Sequence, residues 1–353
     1  MTRIDELLDQ MSLDEQAALT AGHDVWHVDG VERLGVAALK VTDGPVGARG
    51  DGLTGSGTPT LLLPCGTAMA ATFDPDLIRR GGASLGTETR DKGARMLLAP
   101  TVNVHRTPLA GRNFECFSED PHLSARMAVA YIEGVQSQGV SACVKHFVAN
   151  DQEYERNTIE VVVDERALRE IYLPAFEAAV AEAGVWSVMG AYNRLNGPHF
   201  CCDHRWLLTD LLKDEWGFEG AVISDWFAVH STSTIASGLD IEMPGPARHL
   251  GRHLPAAVAA GEVAADRVAD AARRVLFIAH RTGLLDDPDE PDEVGLDRNE
   301  HRELAREIAA ASIVLLKNDE DLLPLRADTS VAVIGPNGGV GVAQGGGSAQ
   351  VNP

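Results

Sequence analysis

No apolar run in this 353-residue chain approaches the length a bilayer demands, so no membrane span is expected. The first residues, from Met1 to Glu6, lack a basic segment followed by an apolar one, so no secretory signal is expected either. Cysteine is sparse. The five present (Cys65, Cys116, Cys143, Cys201 and Cys202) are an odd set with no framework spacing, which suits free thiols in a reducing compartment. The expected location is the cytoplasm. Bases are in deficit, 30 against 52 acids, for a formal charge of -22. Such a surface repels phosphate backbones and anionic lipids, so neither nucleic acid nor membrane is expected as a partner. No phosphate-cradling loop is evident, and no glycine-rich turn follows the first strand to suggest a dinucleotide fold. No cofactor and no metal are expected.

What remains is an ordinary globular composition, 44% hydrophobic and 23% charged, in a chain long enough for one large domain and part of another. Two short helices are expected over residues 2–22, with Ser12 to Glu15 as a capping box. Short β-branched runs then alternate with helical patterns. The strands are expected at 37–42, 96–99, 140–144, 186–190, 221–223 and 239–243, with helices between them that include 75–93 and 207–216. A helix capped by Asp164 should kink at Pro174. About eight such units over residues 1–285 match a (β/α)8 TIM-like barrel. Residues 286–300 are acidic and carry prolines, the composition of a linker. Beyond them, Leu304, Ile308, Ser312 and Leu315 share a helical face and 330–334 reads as a strand. Residues 301–353 are therefore expected to open an α/β sandwich domain and to leave it incomplete.

Three familiar patterns carry little. Gly82-Ala-Ser84-Leu-Gly86 matches a nucleophile elbow but lies inside a helical stretch with no strand before it. Gly339-Val-Gly341 follows a predicted strand, yet the glycine spacing is wrong for a dinucleotide. His199, Cys201, Cys202 and His204 suggest zinc, but adjacent cysteines on an extended segment point to opposite sides. The stronger signal is polar groups closing successive strands: Asp43, Lys145-His146, Met189 to Tyr192 and Asp225-Trp226, joined by loop residues Arg112 and Glu115. In a barrel those ends converge on one face. Each has a plain structural alternative, an N-cap for Asp225 or an ion pair for Lys145. Together they describe a cup of carboxylates, bidentate donors and a tryptophan, suited to a neutral polyhydroxylated ligand such as a sugar.

These segments resemble the β-glucosidase-like branch of glycoside hydrolase family 3. The matching stretches are Thr42 to Arg49, Gly111 to Pro121, Lys145 to Asn150 with Glu155-Arg156, Met189 to Gly197, and Trp216 to Trp226. The resemblance implies removal of terminal non-reducing β-D-glucosyl, or related β-glycosyl, residues by a retaining mechanism with Asp225 as nucleophile. It implies that Asp43, Arg112, Lys145, His146 and Arg156 bind the sugar hydroxyls. Tyr192 would orient Asp225, while Met189 and Trp226 would line the pocket. In that branch the acid/base is a glutamate of the sandwich domain, expected beyond Pro353. The implied partners are a β-glucoside or oligosaccharide substrate and the remainder of the sandwich domain; a homo-oligomer stays open. Two alternatives stay open at this point: a sugar-binding protein without catalysis, and a barrel lyase using Lys145 as a Schiff base.

Overall fold

β-Branched runs become strands where period-2 burial lets them serve two apolar layers at once. In the computed structural model, which describes residues 2–53 and 55–353, the strands are β1 (His27–Val28), β2 (Leu39–Asp43), β3 (Met96–Leu98), β4 (Ser141–Phe147), β5 (Glu160–Val161), β6 (Ser187–Gly190), β7 (Arg194–Leu195) and β8 (Ala221–Ser224). Six of them form one curled sheet in the order β1-β2-β3-β4-β6-β8. β1 is antiparallel to β2, and every later neighbour is parallel. β5 and β7 pair with each other outside it.

Alternation decides the position of the chemistry. Val41, Leu98, Cys143, Met189 and Ile223 bury themselves in one apolar cluster. Their strand neighbours Leu97, Ala142, Val144, Val188 and Val222 join a second cluster, which also holds apolar residues of the flanking helices. Asp43, Lys145 and Asp225 share the parity of the first set, so they stand on the same side of the sheet at the ends of their strands. The register brings those ends level: Asp43 pairs with Leu98, and Gly190 with Ser224.

Eight regular β/α units were expected, and the sheet contains fewer. The 239–243 segment touches β8 only through an isolated parallel bridge between Ile223 and Ile241. Further isolated bridges join Glu242 to Ala21 and Gly22 to Val28. The acids there explain the interruption. Asp240 is fully buried and turned onto Lys213 and Arg267, and Glu242 accepts the backbone N–H groups of Arg248, His249 and Leu250.

The helices follow their caps. Thr2 and Ser12 each form a capping box. Asp164 accepts from the Ala167 N–H, and the chain widens into a π-turn over Leu168–Tyr172 before Pro174, which has no N–H to continue an α-helical ladder. The false nucleophile elbow is a helix crossing. Gly82, on the Pro75–Asp91 helix, meets the Pro121–Gln136 helix so closely that a Cβ would lie 2.4 Å from the Tyr131 carbonyl oxygen.

The C-terminal expectations divide. A helix forms over Asn299–Ala311, and its Leu304 and Ile308 bury against the main core. Leu315 lies beyond the helix end and is exposed. No strand forms at 330–334; Val331, Val333 and Ile334 stay exposed, with no neighbouring strand among the described residues to pair their backbone.

Candidate active site

One cavity of about 240 Å³ lies at the strand ends. All nine residues to which the family resemblance gives a role line it: Asp43, Arg112, Lys145, His146, Arg156, Met189, Tyr192, Asp225 and Trp226. They come from separate stretches that the fold has brought to one cup. Glu115 stands outside the lining.

Lys145 is buried, and its Nζ donates to Asp43 Oδ1 at 2.7 Å. Asp43 also accepts the Gly44 N–H at 2.8 Å and lies 3.9 Å from Arg49. Burial alone would raise its pKa, but Lys145 and Arg49 outweigh burial and hold the carboxyl below its ordinary value. Arg112 clamps Glu115 with two parallel bonds of 2.9 and 2.8 Å. Its third nitrogen donates to His146 Nε2 at 3.0 Å. That contact assigns the histidine tautomer: Nε2 accepts, so the proton sits on Nδ1, which faces Asn103 Oδ1 at 3.3 Å. Burial, reinforced by Arg112 and Lys145, pushes the His146 pKa well down, so the ring is neutral. Both Lys145 and His146 reach the cavity although they are adjacent in sequence. The β4 register shifts between Val144 and Phe147, and this irregularity breaks the alternation.

Asp225 follows β8 directly. Its Oδ1 accepts the Trp226 N–H at 2.7 Å, and its Oδ2 lies 3.5 Å from His146 Nε2. The sequence suggests that neighbouring cations keep this carboxyl's pKa low. In the fold the net direction is upward: burial dominates, and Arg112 and Lys145 offset only part of it. Tyr192 lies beside this carboxyl, and its contact with Asp225 works against the rise in pKa. Its hydroxyl donates to the Trp226 carbonyl at 2.9 Å, which also steadies the backbone beyond Asp225. Arg156 stacks on the Tyr192 ring at 4.5 Å while donating to Glu153 at 2.8 Å. Among the described residues, no group of three or more His, Cys, Asp or Glu has metal-holding geometry. Cys201 and Cys202 are buried and turned onto backbone carbonyls.

Residues 32–278 match the family model described as the glycosyl hydrolase family 3 N terminal domain, and 313–353 match that family's C-terminal domain. The chain belongs to glycosyl hydrolase family 3. A protein named beta-glucosidase from Rhizobium radiobacter is 53% identical over 351 residues, covering 99% of this chain and 43% of its own length. A thermostable beta-glucosidase B from Acetivibrio thermocellus is 42% identical, with 99% and 47% covered. The chain thus spans less than half the length of these curated relatives. Among solved structures, the beta-glucosidase of Kluyveromyces marxianus in complex with glucose superposes with a TM-score of 0.95 at 41% identity, covering all of this chain and 43% of that one. Beta-glucosidase 3B of Thermotoga neapolitana in complex with alpha-D-glucose gives 0.93 at 35% identity, over 100% of this chain and 52% of that one.

The family 3 cavity also has walls that sequence reasoning missed. Trp26 packs against Trp226 with ring centroids 5.7 Å apart, and the Arg49 guanidinium lies 4.9 Å over the Trp26 ring. Ser348 enters from some three hundred residues away, its carbonyl accepting from Arg49 at 2.9 Å and its hydroxyl 3.4 Å from Arg112. Val25, Leu53 and Leu98 complete the lining. Arg49 closes the first glycine-rich motif, which was a usable signal. Trp26 and Ser348 had none.

Proposed function

We propose that the full-length protein is a retaining β-glucosidase that removes terminal non-reducing β-D-glucosyl, or related β-glycosyl, residues, with Asp225 as its nucleophile. One observation carries this reading: a carboxylate at the end of β8 stands, with one oxygen tied to the Trp226 N–H, inside a cup of cations and hydrogen-bonding groups. Asp225 attacks the anomeric carbon, the glycosidic C–O bond breaks, and the sugar is held as an ester until water releases it. Asp43 and Lys145 present an acceptor and a donor to vicinal hydroxyls, and Arg112, His146 and Arg156 extend that set. Such contacts strengthen as the ring flattens and so favour the transition state. Trp226 and Met189 supply the apolar wall.

The leaving group needs a proton from a second carboxyl. Asp43, Glu115 and Glu153 are each engaged by a cation at 2.7 to 2.8 Å, so each is already committed within the protein. From the resemblance to the β-glucosidase-like branch, we assign the acid/base to a glutamate of the sandwich domain outside residues 1–353. On the same reading 1–285 is a (β/α)8-type barrel, its sheet carried round by the bridges through Ile241, Glu242 and Gly22. Residues 286–300 connect it to a sandwich that begins near 301, and the protein works in the cytoplasm, where its five free thiols suit a reducing milieu.

The Schiff-base alternative is disfavoured because Lys145 is committed to Asp43. Incubation of the full-length protein with an activated 2-deoxy-2-fluoro-β-glucoside is expected to leave one covalent sugar on the peptide containing Asp225. Asp225→Ala is expected to lower kcat on the order of 10³-fold or more with the fold intact. A label elsewhere, or activity of Asp225→Ala within about tenfold of the parent, would refute the assignment.

A further inference from the structure

Residues 286–297 have a linker's composition and form neither helix nor strand, yet their contacts are those of a strap. Arg95 donates to the Asp287 carbonyl at 2.9 Å, and Glu290 Oε2 lies 3.0 Å from His27 Nε2. The Val294 N–H donates to the Asp91 carbonyl at 2.9 Å. Lys92 Nζ donates to the carbonyls of Val294 and Pro59, both at 2.8 Å.

Glu293 is the centre of this strap. Its Oε1 accepts the Asp51 N–H at 2.7 Å and Lys40 Nζ at 3.2 Å, and its Oε2 accepts the Thr58 hydroxyl at 2.9 Å. Gly50 passes so near that a Cβ there would meet Glu293 Oε2 at 2.4 Å. Asp51 and Thr58 lie on the glycine-rich loop that also carries Arg49. A segment this rich in glycine has much backbone entropy to lose and few side chains with which to hold itself. An external carboxylate that takes two donors from the loop, while Lys40 anchors it to β2, can hold it.

The loop matters because of what it touches. The Asp51 carbonyl accepts the Trp26 indole N–H at 3.1 Å, so one residue is bonded to Glu293 through its N–H and to a cavity wall through its C=O. Arg49, two residues earlier, stacks on that same Trp26. A merely structural account would make Glu293 the counter-charge of buried Lys40. Lys40 already has Asp51 and Glu290, each at 3.0 Å, so its neutralisation does not require a third acid.

We propose that Glu293 is a positioning residue for the sugar pocket, fixing the glycine-rich loop so that Arg49 and Trp26 stand in the cavity wall. The proposal rests on the reading of that cavity as the sugar site. The test uses the full-length protein with Glu293→Gln and, as a milder change that keeps every partner of Lys40, Thr58→Val. Hydrogen exchange of peptides spanning 44–60 is compared with that of the β4 and β8 peptides. KM and kcat are measured on an aryl β-glucoside. Exchange in the loop is expected to rise about tenfold in Glu293→Gln with the strands unchanged. KM is expected to rise about fivefold with kcat within about twofold, and Thr58→Val should move both in the same direction by less. Loop exchange unchanged in both variants, or faster exchange with KM unchanged, would overturn the proposal. Should the parent show no turnover, the proposed function fails separately. Glucose affinity by tryptophan fluorescence then replaces KM and judges the tether in the same way.

Discussion

Replacing Lys145 with methionine keeps most of its length and removes its charge, which isolates the Lys145–Asp43 pair. Both side chains are buried, with Lys145 2% and Asp43 7% exposed, and they meet at 2.7 Å. Breaking such a pair from one side leaves an uncompensated buried carboxylate and costs about 3 to 5 kcal/mol. Here the lower end applies, because Asp43 keeps the Gly44 N–H at 2.8 Å and Arg49 at 3.9 Å. A loss of about 3 kcal/mol is about two decades in the folding equilibrium. The pH dependence makes the test sharper. In the parent, Asp43 has a folded pKa below its unfolded value, so its contribution is present above that unfolded value and is lost as pH falls through the folded one. In Lys145→Met, burial is opposed by fewer cations, and the folded pKa should rise above the unfolded one. Its penalty should then shrink as pH falls. Denaturant unfolding of both full-length proteins at pH 7 and pH 5 is expected to give a stability difference that narrows on acidification. A difference below about 1 kcal/mol at pH 7, the range of an exposed pair, would refute the reasoning, as would one that widens toward pH 5.

Three further outcomes are expected. Burial raises the Asp225 pKa, so the acid limb of kcat/KM should lie above the ordinary value of an aspartate. Arg112→Met should move that limb to higher pH, because Arg112 is the leading cation opposing burial; a pH–rate profile shifted to lower pH would exclude this. Gly134→Ala should destabilise the protein by about 1 to 3 kcal/mol with KM unchanged, measured by denaturant midpoint and steady-state kinetics. The added Cβ would lie 2.2 Å from the Arg79 carbonyl oxygen, inside the helix crossing.

Much of the fold and site was legible because the signals were local. Capping boxes, short β-branched runs and the parity of Val41-Asp43, Cys143-Lys145 and Ile223-Asp225 are properties of adjacent residues. The C-terminal strand was misread for the opposite reason. The 330–334 run has strand composition, but a strand requires a partner backbone, which composition does not supply. The 239–243 segment departs for a similar reason: its apolar residues suit a strand, while Asp240 is taken by the remote Lys213 and Glu242 by the N–H groups of the following loop.

By itself the sequence determined which residues could do chemistry and at which strand ends they stand, since alternation and motif order require nothing distant. Only the tertiary structure decided their working state. Burial outweighs the cations at Asp225 and yields to them at Asp43. The Arg112 contact leaves His146 neutral with its proton on Nδ1. Trp26 and Ser348 enter the cup from afar, and the apparent linker ties down a pocket loop through Glu293. Each of these depends on distances between residues remote in the chain, and on the removal of water from around them, which no local pattern encodes.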